Sequence, residues 1–120
     1  MKSYGICYPI ISDFSDELLA ISICRFYGPF DSSIGNLCLA GHNFNDGTFF
    51  SNLSLLEVGD IISISFWDST TYQYALYKKY ETDFNDISCT LQETNGKREI
   101  TLVTCNNFTG NRMIFKACEI

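Results

Sequence analysis

Short runs of β-branched and aromatic residues recur along the whole chain, each ended by a turn signal, and this pattern limits the fold more than any other feature. In Ile61 to Trp67, Ile62, Ile64 and Phe66 fall on one face and Ser63 and Ser65 on the other, which is the alternation of a half-buried strand. Thr71 to Tyr80 repeats it, with Tyr72, Tyr74 and Leu76 on one face. Tyr4–Ile11, Arg25–Tyr27, Asn36–His42, Glu99–Cys105 and Arg112–Ile120 are the remaining strand candidates. Gly28-Pro29, Asn45-Asp46-Gly47, Val58-Gly59-Asp60, Asp68-Ser69-Thr70 and Thr109-Gly110-Asn111 separate or flank these runs with turn chemistry. Two stretches read as short helices. In the first, Ser15 caps, Asp16 and Glu17 occupy the first turn, and Leu18, Leu19 and Ile21 face inward up to about Ile23. In the second, Phe49, Phe50, Leu53 and Leu56 have helical spacing. The expectation is a mainly β domain of about eight short strands and two short helices, closed or nearly closed into a barrel so that few strand edges stay exposed.

With 120 residues, 46% of them hydrophobic, residues 1–120 are expected to form one domain with a real core. The net charge of −6 leaves no basic stripe to neutralise phosphates, so no nucleic-acid partner is expected. No segment reaches the roughly 18 apolar residues of a membrane span, and Met1-Lys2-Ser3-Tyr4 leads straight into a strand-like run without a signal-peptide core. Of the 6 cysteines, Cys7, Cys24, Cys38, Cys89 and Cys118 lie mostly inside apolar runs, where a free thiol behaves as a small hydrophobe. They are expected to be unpaired. No C-x-x-C spacing occurs and the carboxylates do not cluster, so neither a metal nor another cofactor is expected.

Three residues carry candidate chemistry. Thr101-Leu102-Val103-Thr104-Cys105 is a β-type run ending in a cysteine, with Thr101, Val103 and Cys105 on one face and Leu102 and Thr104 on the other. The only histidine, His42, ends Asn36-Leu37-Cys38-Leu39-Ala40-Gly41-His42, and Arg112 opens the last run. Each has an ordinary explanation: a core cysteine, a surface histidine, a solvated arginine. Brought to one rim they would supply a nucleophile, a proton carrier and an oxyanion stabiliser. The polar stretch Glu81 to Lys97 directly precedes the Cys105 strand, and a connection of that length is more often functional than idle.

Ala40-Gly41-His42-Asn43, then Thr101-Leu102-Val103-Thr104-Cys105, then Arg112 resemble the signature of the sortases, cysteine transpeptidases of Gram-positive bacterial surfaces, with class B or D nearest. Tyr8-Pro9-Ile10-Ile11, Asp16-Glu17-Leu18-Leu19, Phe50-Ser51-Asn52-Leu53 and Val58-Gly59-Asp60 extend the likeness over nearly the whole chain. The resemblance implies an eight-stranded β-barrel with catalytic residues His42, Cys105 and Arg112. It implies cleavage of an LPxTG-like sorting-signal peptide at a Thr–Gly-type bond, then transfer of the acyl group to an amine of a peptidoglycan precursor or a pilin. Thr104, and Ile87 and Leu91 in the connection before the cysteine strand, are the candidate substrate-binding residues; the plain alternative for the latter two is that they pin the connection to the core. Sortases carry a signal-anchor and a first strand ahead of the point where this sequence begins. The expectation is therefore a chain lacking that first strand, from an extracytoplasmic protein anchored in the membrane through a segment not in this chain. Two other classes compete: a degenerate, inactive sortase-fold peptide-binding module, and a structural barrel with an incidental cysteine and histidine.

Overall fold

The structure is a computed structural model, and it describes residues 10–11, 23–28, 35–41, 56–65, 71–83, 89, 92, 96–105 and 110–120. The strands are β1 (Ile10–Ile11), β2 (Ile23–Tyr27), β3 (Gly35–Ala40), β4 (Ile61–Ser65), β5 (Thr71–Thr82), β6 (Arg98–Cys105) and β7 (Arg112–Glu119). All seven belong to one sheet in the order β1-β2-β3-β6-β7-β5-β4. β1–β2 and β3–β6 pair in parallel; β2–β3, β4–β5, β5–β7 and β6–β7 are antiparallel.

One face of this sheet packs against itself. Ile23 of β2, Leu37 and Leu39 of β3, Ile64 of β4, Tyr74 and Leu76 of β5, Ile100 and Leu102 of β6, and Phe115 and Ala117 of β7 form a single buried cluster. Residues from six strands can share one cluster only if the sheet curls, and the fold is accordingly mainly β and barrel-like. The alternation read from the sequence appears directly in the packing. Ile62 and Tyr72 flank the cluster that Ile64, Tyr74 and Leu76 enter, while Ser63 and Ser65 face solvent. Removing a side chain the size of Leu, Ile or Phe from water stabilises the fold by roughly 1.5–3 kcal/mol, so this stripe is the main apolar source of stability.

The strand boundaries differ from expectation in instructive ways. Ile23, expected to close a helix, opens β2, because its backbone pairs in parallel with Ile10. The strand expected over 36–42 is Gly35–Ala40, beyond which Gly41 N–H still donates to the Val103 carbonyl at 3.1 Å. β5 runs two residues past Tyr80, since Glu81 and Thr82 pair with Met113 and Arg112. Leu56, expected on a helix, is buried in irregular chain, and its carbonyl accepts from Lys79 Nζ at 2.9 Å. The rest of the two expected helices, and the expected strand before Ile10, lie outside the described residues. Among the described residues no α-helix occurs.

Gly28 ends β2 where the sequence signals a break. Its φ of 87° is left-handed, and a Cβ there would stand inside the contact shell of the Asn36 carbonyl oxygen. The backbone of β3 runs too close for any side chain. Gly28→Ala is therefore expected to cost more than about 2 kcal/mol, strain and collision combined, and denaturant unfolding of the two proteins measures it.

Candidate functional site

Antiparallel pairing of β6 with β7 sets Thr101 opposite Lys116, Leu102 opposite Phe115, Val103 opposite Ile114, Thr104 opposite Met113 and Cys105 opposite Arg112. The cysteine and arginine, seven positions apart in the chain, are thus direct cross-strand partners at the rim of the sheet. On its other side Arg112 pairs with Thr82 of β5. β3 comes alongside β6 in parallel, with Ala40 opposite Val103 and Gly41 bonded to the Val103 carbonyl. β3 therefore leads the chain to the same rim and ends two residues before His42. His42 itself, and the candidate substrate-binding residues Ile87 and Leu91, lie outside the described residues.

The two parities of β6 meet different surroundings. Ile100 and Leu102 enter the curled core, and Thr104 shares their parity, as does its partner Met113, which packs against that core. Thr104 is 4% exposed, and its buried hydroxyl has no hydrogen-bond partner among the described residues. Position 105 has the other parity, that of Thr101 and Val103. The separation of Thr104 from Cys105 expected from strand alternation thus holds for the backbone.

On the Cys105 side, one side-chain spacing down the strands, Val103 and Ile114 form a second buried cluster with Cys89, flanked by Tyr80. Cys89 belongs to the connection between β5 and β6, so part of that long segment packs on this face of the sheet. Polar groups meet there too. Asn36 Nδ2 donates to the Cys89 carbonyl at 2.7 Å, and Thr101 Oγ1 donates to Asn36 Oδ1 at 2.7 Å. Lys116 Nζ donates to the Cys89 carbonyl at 3.2 Å and to Thr101 Oγ1 at 3.1 Å. Gln92 grips the Asn36 backbone with both ends of its amide, accepting from N–H at 2.9 Å and donating to C=O at 2.8 Å. Reading the sequence strand by strand missed this network. Its signal was present: Asn36, Thr101 and Lys116 are polar residues within runs that are otherwise mostly apolar. No group of three or more metal-ligating side chains occurs among the described residues.

Against this geometry, comparison with known proteins gives one consistent result. The family model for the sortase domain matches residues 1–120. Sortase A of Bacillus anthracis is 36% identical over 78 residues, which are 64% of this chain and 36% of that protein. The chain thus matches little more than a third of that curated relative's length. The solved structure of a Clostridium perfringens Sortase D5 transpeptidase aligns with a TM-score of 0.81 at 29% identity, covering 92% of this chain and 69% of that one. A lid mutant of sortase A from Corynebacterium diphtheriae aligns with a TM-score of 0.84 at 21% identity, covering 96% and 64%, a likeness of fold.

Cys24, Cys38, Cys89 and Cys118 are thiols outside any disulfide, the first three buried. Burial pushes the Cys38 thiol up to about 12; nearby Cys89 adds to the rise, while Lys116 and the Thr101 hydrogen bond oppose it. Burial likewise lifts the Tyr74 phenol to about 12, with Glu119 contributing. Groups held protonated by the fold favour the native state until the unfolded chain begins to lose those protons. The stability they provide is complete below the ordinary thiol value of 9 and is lost as pH rises toward about 12. Denaturation midpoints are expected to fall progressively above pH 9, and Cys38→Ala should make that decline shallower, with Tyr74, Tyr77, Cys24 and Cys118, all likewise raised by burial, left to drive the remainder.

Proposed function

The chain belongs to the sortase family, and we propose that it acts as a cysteine transpeptidase with Cys105 as nucleophile, His42 as proton carrier and Arg112 as oxyanion stabiliser. The observation that carries this reading is the β6–β7 register, which makes Cys105 and Arg112 cross-strand partners. Directly opposed residues in an antiparallel pair have Cβ atoms about 4.5–5.5 Å apart, within reach for a sulfur and a guanidinium to act on one carbonyl. His42 follows Gly41 directly in the sequence. Gly41 in turn is held to Val103, two residues before the cysteine.

In the proposed reaction the Cys105 thiolate attacks the carbonyl carbon of a Thr–Gly-type bond in an LPxTG-like sorting signal. Negative charge collects on the carbonyl oxygen, where Arg112 and a backbone N–H near Cys105 stabilise it. As the C–N bond breaks, His42 gives its proton to the leaving amine, and a thioester to Cys105 remains. An amine of a peptidoglycan precursor or a pilin then attacks the thioester. His42 takes the proton from that amine, and Cys105 leaves as the thiolate that began the cycle. Ile87, Leu91 and Thr104 are proposed to shape the peptide groove, Thr104 from the buried side of β6. The setting is the extracytoplasmic surface of a Gram-positive bacterium, with the whole protein membrane-anchored.

A screen of sorting-signal peptides, with and without an added amine, tests the proposal. The chain should cleave at least one such peptide and, given the amine, form the transpeptidation product. Cys105→Ala and His42→Ala should each abolish turnover. Arg112→Ala should lower kcat by roughly 10²–10³, the loss seen when one oxyanion donor is removed. Retained cleavage in Cys105→Ala overturns the assignment.

A further inference from the structure

The polar cluster under the β5–β6 connection has no part in bond cleavage as proposed above, yet its groups are matched closely. Asn36 and Thr101 are 1% and 0% exposed. Positions buried this fully in a sheet are usually apolar. Instead β3 and β7 each direct a donor at a single acceptor, the carbonyl of Cys89: the Asn36 amide at 2.7 Å and the Lys116 ammonium at 3.2 Å. From β6, the Thr101 hydroxyl links those two donors, accepting from Lys116 and donating to Asn36 Oδ1. Cys38 Sγ also approaches the same carbonyl, at 3.8 Å.

The anchored carbonyl lies close to the rim. Cys89 packs on Val103 and Ile114, which precede Cys105 and follow Arg112 by two residues. At about 3.3 Å per residue, the Val103–Ile114 contact is roughly 7 Å down the strands from the pair and the anchoring Thr101 and Lys116 roughly 13 Å, all on the parity of position 105. A connection held at this height becomes one wall of whatever site forms above Cys105.

We infer that Asn36, Thr101 and Lys116 are positioning residues: through the Cys89 carbonyl they fix the β5–β6 connection beside Cys105, so they govern how well the peptide is held rather than how fast its bond breaks. This rests on the proposed transpeptidase reading for its kinetic part alone. The anchoring itself requires no substrate.

Thr101→Val keeps the shape of the side chain and removes the hydroxyl; Thr101→Ser keeps the hydroxyl. Lys116→Met removes the ammonium from outside strand β6. Hydrogen exchange across residues 84–95 reads the anchor directly. The rate of Cys105 alkylation by iodoacetamide, mapped by peptide mass, reads the rim. The values of kcat and KM on a cleaved peptide read the consequence. Thr101→Val and Lys116→Met should each speed exchange in 84–95 and raise KM by about 10-fold, the scale of a buried hydrogen-bonding group left unsatisfied. Both should leave kcat within about twofold and Cys105 alkylation unchanged. Thr101→Ser should behave as the parent. Unchanged exchange in both folded variants overturns the inference, as does a Thr101→Ser protein as defective as Thr101→Val, or a loss confined to kcat. If Thr101→Val does not fold, Lys116→Met decides alone. If the parent chain cleaves no peptide, the transpeptidase reading falls; faster exchange in the variants then still establishes the anchor.

Discussion

A slip of one residue between β6 and β7 would turn one strand over, either Ile100 and Leu102 out of the curled core with Thr101 brought in, or Phe115 and Ala117 out with Lys116 brought in. Either exchange would expose two buried apolar side chains and bring a polar or charged one inward, so the register is strongly specified. It is held at the far end as well, where Arg98 pairs with Glu119 at 3.3 Å and lies over the Tyr72 ring, its guanidinium carbon 4.4 Å from the ring centroid. With the register fixed along its length, the position of Arg112 opposite Cys105 follows. Geometry at the rim is thus specified by packing at the other end and middle of the same two strands.

The second consequence of the curl is that β6 is a central strand covered on both sides. Its inward parity meets the core and its outward parity meets Cys89, Asn36 and Lys116. A central strand with two buried faces is stiff, since its motion would break contacts in two layers. That stiffness suits a strand whose last residue is the proposed nucleophile, because the reacting atom would have to be held where the proposed oxyanion donor can act. The connection above it is attached differently, through hydrogen bonds to the Cys89 carbonyl, the Gln92 amide on the Asn36 backbone and a small apolar contact. Such an attachment can be tuned without disturbing the strand beneath.

Much of this was legible in the sequence because it is local. Alternation in Ile61–Ser65 and Thr71–Leu76 predicted which residues enter the core, and the break at Gly28 predicted where β2 ends. The rim residues were legible for a different reason, since Cys105 closes one run and Arg112 opens the next, and a hairpin must bring such ends together. What the sequence hid is non-local. Ile23 carries the periodicity of the apolar stretch before it, but a parallel partner at Ile10 makes it a strand. The parallel pairing of β3 with β6 joins residues more than 60 positions apart, as in Asn36 with Glu99. Asn36, Thr101 and Lys116 look like surface residues until the β5–β6 connection is folded over them.

Disulfide trapping tests the central geometry most directly. In Arg112→Cys under mild oxidation, a thiol at position 112 facing Cys105 across an antiparallel pair has the Cα separation of a disulfide, about 4.4–6.8 Å. The account predicts that peptide mapping finds a 105–112 crosslink forming rapidly in the native chain. A crosslink from position 112 to any other cysteine, or none at all while Cys105 remains open to alkylation, would contradict it.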